Sequence, residues 1–250
     1  MEILKGEEIM CLIVHSDVSD YSYLLDNQKI LDGIADRNPD GFGVMYQVNG
    51  VTKSSKGLVS KGTIRKIIEK IHNSSPNPSF LHWRLATSGR VDKDNSHPFE
   101  IGENTFIAHN GVLGKEYQPK GDDRNDTRVF LDKEMLGKEK LIFDKAFKKD
   151  IEAKLGNKNK LAIMSGDKYT IYNRGKGIEY EDLWFSNTYA WDYPKSLKWK
   201  DNFMDWKDYD IIEMDGFVRD NPTVVSDFLY DYGITLKDLE DYKNELQYNS

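Results

Sequence analysis

The order of strand-like and helix-like segments constrains the fold of this chain most strongly. Apolar runs and turn-bounded stretches typical of strands lie at 11–14, 37–48, 80–87, 105–113, 159–177 and 183–187; helical spacing of apolar residues lies at 62–72, 125–136 and about 139–155. Strands come first, most of the helical pattern lies in the middle, and strands return. This order favours an α+β layered sandwich over alternating βαβ units.

Two of these segments carry recognisable end signals. The helix at 62–72 has Thr63 as its candidate N-cap, and the helix at 125–136 begins with an Asx cap. The string Asn38-Pro39-Asp40-Gly41 predicts a turn that leads into a strand. We expect Asp40, Gly41 and the nearby Gly43 to have a structural duty.

Composition limits the classes of protein that this chain can belong to. Its 250 residues suffice for one large domain or two small ones, and 38% are hydrophobic, which is ample for a core. The net charge of −7 gives no global basic field for nucleic acid, and no apolar run has the length of a membrane span. One cysteine suits a reducing cytosol, so we predict a cytoplasmic protein; abundant Tyr, Asn, Asp and Lys are typical of AT-rich genomes, including those of phages.

The single cysteine, Cys11, allows two interpretations. It precedes Leu-Ile-Val, and a lone cysteine in such a run is usually a small buried residue on a strand. It also follows Met10 directly. If Met10 starts the chain and is removed, Cys11 carries a thiol and a free amine, which together form a nucleophile and a base.

Five short strings decide between these interpretations. They are Cys11, His82-Trp83-Arg84-Leu85-Ala86-Thr87-Ser88-Gly89, Asn95-Ser96-His97-Pro98, Ala108-His109-Asn110-Gly111 and Asn125-Asp126-Thr127. Their order and spacing resemble the glutaminase domain of class II glutamine amidotransferases, which are N-terminal-nucleophile hydrolases. The resemblance covers roughly residues 11 to 187 and implies a four-layer αββα sandwich.

The resemblance implies a role for each residue. Cys11 would attack the side-chain amide of glutamine, with its α-amine as the base. The Asn110 side chain and the Gly111 backbone N–H would form the oxyanion hole. Arg84 would bind the substrate carboxylate and Asp126 its ammonium group, and Thr87 and Ser88 would line the pocket.

Simpler interpretations exist for single residues. Arg84 alone is an ordinary ion-pair partner, Asn110-Gly111 a hairpin turn, and Asp126 a helix cap. His97 and His109 are expected to be structural hydrogen-bonding residues, since the histidines show no metal-ligand spacing and one cysteine cannot build a thiolate site. We therefore expect no metal and no cofactor.

As numbered, the amine of Cys11 is held in a peptide bond and cannot act as a base. A propeptide could be cleaved, the site could be inactive, or Met10 could be the true start. We favour the last, because codons for Lys5 to Ile9 can contain AAGGAG, a ribosome-binding sequence. This divides the chain into a leader or propeptide at 1–10, an amidotransferase-like domain at 11–190, and an acidic aromatic extension at 191–250 that packs on the domain or docks a partner.

The predicted function is release of ammonia from glutamine through a Cys11 thioester. Residues 191–250 are too short for a nucleotide-activating module, and the chain has no phosphate-cradling glycine loop. The predicted acceptor is therefore a separate synthetase or transferase, with neither a membrane nor nucleic acid as a partner. Two alternatives stay open: a hydrolase of another amide on the same fold, and an inactive binding or regulatory protein.

Overall fold

A computed structural model describes residues 10–74, 77–118 and 120–188. These residues form ten strands: β1 Leu12–Ser16, β2 Phe42–Val48, β3 Val51–Gly57, β4 Ser79–Trp83, β5 Phe99–Gly102, β6 Thr105–Asn110, β7 Lys160–Ser165, β8 Lys168–Tyr172, β9 Ile178–Tyr180 and β10 Leu183–Phe185. They also form five α-helices: α1 Ser22–Asp26, α2 Gln28–Arg37, α3 Lys61–His72, α4 Asp126–Glu134 and α5 Lys145–Leu155.

The strands form two antiparallel sheets. The first has six strands in the order β3-β2-β4-β1-β10-β9, and the second has four in the order β5-β6-β7-β8. Strand β1 lies inside the first sheet, where Leu12 pairs with Trp83 of β4 and Val14 with Phe185 of β10. Because all five residues of β1 are buried, the continuous apolar run fits a strand covered on both faces.

The two sheets pack face to face through a shared core. Their facing side chains are Ile13, Met45, Phe80 and Trp184 from the first sheet and Ala108, Ala162, Met164 and Ile171 from the second. The opposite face of the second sheet is covered by α4 and α5, and the largest cluster there includes Ile107, Ile163, Phe130 and Ile151. Successive side chains of a strand point to opposite faces of the sheet, so the second sheet contributes both to the core between the sheets and to the core beneath α4 and α5.

Helices α1 to α3 supply the fourth layer. Leu12, Val14 and Leu81 alternate with the residues of the inter-sheet core and are fully buried on the other face. Helix α3 buries Ile64, Ile68 and Ile71 at helical spacing. The architecture is the predicted four-layer αββα sandwich.

Local details correct several sequence-based predictions. The N-cap of α3 is Ser60, whose hydroxyl accepts the Thr63 N–H at 3.3 Å, so Thr63 is not the cap. Two helices, α1 and α2, occupy a stretch that had no predicted structure, and β5 begins at Phe99 in a predicted loop. The Asx cap of α4 is confirmed, because Asn125 Oδ1 accepts the Arg128 N–H at 2.9 Å.

No helix in the described parts of the chain is long and apolar enough to cross a membrane. The predicted leader lies outside those parts except for Met10, and so does the extension at 191–250.

Candidate active site

Cys11 lies immediately before β1, and the sheet framework fixes both its thiol and its carbonyl. Its Sγ accepts the Leu85 N–H at 3.3 Å and lies 3.4 Å from the Leu85 carbonyl oxygen. Asn187 Nδ2 donates to the Cys11 carbonyl at 2.7 Å. Burial raises the pKa of the Cys11 thiol to about 11, so the thiol is protonated at neutral pH. It therefore needs a nearby base before it can act as a nucleophile.

A small cavity lies beside this thiol. Its lining includes six of the seven predicted site residues: Cys11, Arg84, Thr87, Ser88, Gly111 and Asp126. The seventh, Asn110, is the neighbour of Gly111 and is fully buried. Residues up to 115 positions apart in sequence thus meet at one place, although their chemical roles stay predictions.

Asn110 and Gly111 lie where β6 ends. They do not form a hairpin turn, because the next element that pairs with β6 is β7, beyond α4 and α5. Gly111 has φ +139°, and a Cβ there would overlap the Asn159 side chain. Asn159 is itself fixed by His109 Nε2 at 2.9 Å and by the Leu155 carbonyl at 2.7 Å. Only glycine fits this position.

Arg84 follows β4, and its side chain bonds to the backbone of the loop that comes directly after it. The guanidinium donates to the carbonyls of Ser88 at 3.1 Å and Arg90 at 2.9 Å. Burial lowers the pKa of Arg84, whereas Asp40 and Asp126 raise it, and a guanidinium stays cationic under such conditions. None of the ion pairs among the described residues includes Arg84, so it is not the ordinary ion-pair partner that its strand context indicated.

Asp126 is the first residue of α4 and connects three segments. Its carboxylate accepts the N–H groups of Leu113 and Thr127, both at 2.8 Å. Its own N–H donates to Ser88 Oγ at 3.0 Å. Because Asn125 caps α4, the simplest interpretation of Asp126 as the cap is wrong. Asp126 instead holds the loop after Gly111 against the loop after Arg84.

The turn before β2 braces the same region. Asp40 Oδ2 accepts the Ala86 N–H at 2.8 Å. A Cβ on Gly43 would overlap the His97 carbonyl, so the chain segment 95–98 packs directly on the β2 backbone. These contacts support the structural duty predicted for Asp40 and Gly43.

Three buried histidines lie close together: His97 and His109 line the cavity, and the His82 ring centroid lies 4.2 Å from that of His97. His109 bonds Thr127 Oγ1 at 2.7 Å and Asn159 Oδ1 at 2.9 Å, which confirms its hydrogen-bonding role. For His97 neither ring nitrogen has a partner among the described residues, so its hydrogen-bonding role stays a prediction. Burial lowers the pKa of His82 to about 3 and also lowers those of His97 and His109, so all three rings are neutral at pH 7. The described residues form no group of three or more side chains that could hold a metal ion.

Sequence reasoning missed two residues beside the predicted set. Ser186 Oγ accepts the Ile13 N–H at 2.8 Å, and Asn110 Nδ2 lies 2.5 Å from the same oxygen. Asn187 holds the Cys11 carbonyl. The only sequence signal there was a short strand pattern at 183–187, which does not show that its last two residues reach β1.

The layer order, with a cysteine directly before an inner strand of the first sheet, defines the N-terminal-nucleophile hydrolase fold. Residues 14–129 match the family model of class-II glutamine amidotransferases. Residues 14–129, just under half of the chain, are therefore similar to a class II glutamine amidotransferase domain. The matched range contains Arg84, Asn110, Gly111 and Asp126 and begins three residues after Cys11.

Individual proteins are also similar to this chain. The chain is 29% identical over 196 residues to a glutamine–fructose-6-phosphate aminotransferase (isomerizing) of Listeria innocua, covering 69% of this chain and 32% of that protein. It is 31% identical over 114 residues to a putative glutamine amidotransferase of Haemophilus influenzae, covering 42% and 38%. The chain thus spans about a third of the length of these relatives. A solved glutamine phosphoribosylpyrophosphate amidotransferase of B. subtilis is 16% identical, with a TM-score of 0.44 over 72% of this chain and 42% of that one.

Proposed function

We propose that this protein hydrolyses the side-chain amide of glutamine through a thioester on Cys11 and passes the ammonia to an acceptor on a separate enzyme. One observation carries this proposal: the cavity beside the Cys11 thiol brings together Arg84, Gly111 and Asp126. A nucleophile, an oxyanion donor and two opposite charges for an amino-acid end then lie within one site.

The reaction follows from these positions. The Cys11 sulfur bonds to the amide carbon of glutamine as the thiol proton moves to the α-amine. The carbonyl oxygen becomes an oxyanion, which accepts hydrogen bonds from the Gly111 N–H and the Asn110 side chain. The C–N bond then breaks, the amine returns the proton to the leaving ammonia, and a thioester remains. Water hydrolyses the thioester to glutamate by the same steps.

The base explains why Cys11 must be the first residue. A thiol with a pKa of about 11 yields very little thiolate at neutral pH. A free α-amine has a reference pKa of about 7.7 to 8.0 and is partly neutral there, which suits a general base. An amide nitrogen cannot do this work. We therefore propose that translation starts at Met10 and that removal of Met10 exposes Cys11.

Arg84 and Asp126 give the site its preference for a free amino acid. Two N–H groups of Arg84 are used by backbone carbonyls, and a guanidinium has five. The others can donate to the substrate carboxylate. Both carboxylate oxygens of Asp126 accept backbone N–H groups and keep further acceptor capacity for an ammonium group.

Substrate preference tests this function. We expect ammonia release from glutamine to exceed that from glutaric acid monoamide, which lacks the amine, by about tenfold to a hundredfold in kcat/KM. The loss of one charge-assisted hydrogen bond, worth about 1.5 to 3 kcal/mol, sets this range. Release of ammonia should be followed for both amides, with asparagine as the control for chain length. Equal rates for all three would contradict the proposal and favour a hydrolase of another amide on the same fold.

The acceptor belongs to another chain in this proposal. The names of the two relatives indicate amide or amino transfer, which supports an acceptor for the released ammonia. We propose that the partner is a synthetase or transferase of the cytosol, where a single cysteine is stable as a thiol. We assign residues 191–250 to the packing of the domain or the docking of that partner.

A further inference from the structure

We propose that Ser186 is a positioning residue that sets the orientation of the Asn110 amide and thereby aims its N–H groups at the oxyanion. This inference rests on the proposed function and assigns a role to a residue outside the range of the family match, 14–129.

The Ser186 side chain and backbone both bond to strand β1. The hydroxyl oxygen accepts the Ile13 N–H at 2.8 Å, while the Ser186 N–H donates to the Ile13 carbonyl at 2.9 Å. Ser186 is fully buried. The oxygen of a serine has two acceptor sites and one proton to donate. The backbone of β1 therefore takes one acceptor site permanently.

The Asn110 amide lies at the other side of this hydroxyl. With Nδ2 facing Ser186 Oγ at 2.5 Å, both acceptor sites of the serine are filled and no described residue accepts its proton. In the same arrangement Asn110 Oδ1 is buried without a partner among the described residues. Two polar groups thus lack partners, and each such buried group costs roughly 1 to 3 kcal/mol.

Turning the amide by 180° about its last side-chain bond pairs the serine proton with Oδ1 and leaves only the Nδ2 N–H groups without a partner among the described residues. The two orientations have nearly the same shape, so hydrogen bonding decides between them. Ser186 O–H then donates to Oδ1 and still accepts from Ile13. Nδ2 takes the place that Oδ1 held, where its N–H groups have no described protein acceptor. An unpaired donor there, next to the cavity lined by Gly111, is what a developing oxyanion requires.

The Ile13–Ser186 bond is therefore what makes the serine a donor toward Asn110. Through this bond, strand β1, which begins directly after Cys11, also determines which way the Asn110 amide faces. Asn187, the next residue, holds the Cys11 carbonyl at 2.7 Å, so one short segment after β10 aligns the nucleophile and the oxyanion hole.

Ser186→Ala tests this role in protein that begins at Cys11. We expect kcat for glutamine to fall about tenfold to a hundredfold, below the loss for a missing oxyanion donor, with KM changed less than about threefold. An aldehyde analogue of glutamine is the second probe: the Cys11 sulfur adds to its carbonyl carbon and the thiol proton passes to the oxygen, giving a hemithioacetal in the oxyanion hole. Its inhibition constant should rise by the same factor, while the dissociation constant of glutamate stays unchanged.

The control is Ser165→Ala, which removes a similar strand-end hydroxyl bonded to Thr105 Oγ1 at 2.8 Å in the other sheet. It should leave kcat, KM, the inhibition constant of the aldehyde and the dissociation constant of glutamate unchanged. In the Asn110→Ala background, Ser186→Ala should cause no further loss of kcat. An unchanged kcat and aldehyde affinity in Ser186→Ala, with an active parent protein, would overturn the inference. A parent that neither releases ammonia nor binds the aldehyde would instead overturn the proposed function.

If Ser186→Ala does not fold, the unaltered protein still gives an answer. Formation of the aldehyde adduct should move one side-chain amide proton of Asn110 downfield in ¹H–¹⁵N spectra, the signal being assigned by its loss in Asn110→Ala. A signal that does not move would show that Nδ2 faces away from the oxyanion.

Discussion

Replacing Cys11 by alanine should reduce ammonia release from glutamine at least about a thousandfold. Removal of a covalent nucleophile leaves only binding and oxyanion stabilisation, which cannot form the thioester. The substitution removes one sulfur atom from a residue that lies at the end of a strand and lines the cavity, so the fold should persist. The measurement is the initial rate of ammonia release at saturating glutamine.

The control for this variant is its affinity for glutamate, measured by calorimetry. Arg84 and Asp126 are unchanged in Cys11→Ala, so the dissociation constant should stay within about threefold of that of the parent protein. A variant that binds glutamate normally and still releases ammonia within tenfold of the parent rate would show that Cys11 is not the nucleophile.

Keeping the first ten residues should have an effect of similar size. Protein that retains Met1 to Met10, with Met10→Leu to prevent internal initiation, should be at least about a hundredfold slower than protein that begins at Cys11. The reason is that general-base catalysis typically contributes about 10² to 10⁴ in rate, and the amide nitrogen of a peptide-bonded Cys11 cannot supply it. Both proteins should be compared by ammonia release under identical conditions.

The pH dependence provides the internal check on this comparison. The neutral amine is the active form, so kcat/KM of protein beginning at Cys11 should be low below the amine pKa and rise through it, around pH 7 to 8. The longer protein should lack that rise. Equal activity and equal pH profiles for the two proteins would show that the α-amine of Cys11 is not the base.

The elements that the sequence predicts well are those whose burial follows a simple period. The run at 11–14 is continuously apolar and becomes a buried inner strand, β1. Three of the four isoleucines of α3, Ile64, Ile68 and Ile71, recur at helical spacing and are buried. In these segments local pattern and tertiary packing agree, so the sequence alone suffices.

The elements that the sequence did not predict have a weak apolar pattern of their own. Strand β3 is polar and buries only Thr52 and Gly57, so its seven-residue ladder with β2 defines it rather than an apolar face. Helix α2 buries just three residues, Leu31, Ile34 and Ala35, in a polar stretch with a central glycine. Such a segment carries a weak periodic signal.

The residues of the candidate site could likewise be predicted only in part from local sequence patterns. Cys11, Arg84, Gly111 and Asp126 were found because short strings resemble a family, and the structure places them around one cavity. Ser186 was not found, because its partner Asn110 lies 76 residues away in sequence and no local pattern reports such a contact. Each long-range hydrogen bond is a consequence of sheet topology, which only the folded chain displays.

The most direct test of the account is an intact mass spectrum of protein expressed from its own gene, taken before and after incubation with 6-diazo-5-oxo-norleucine. This glutamine-like diazo-ketone alkylates a nucleophile only where a glutamine pocket presents it. We expect a mass that begins at Cys11 and gains a single adduct, which Cys11→Ala does not form. A mass that retains Met1 to Met10 and gains no adduct would contradict it.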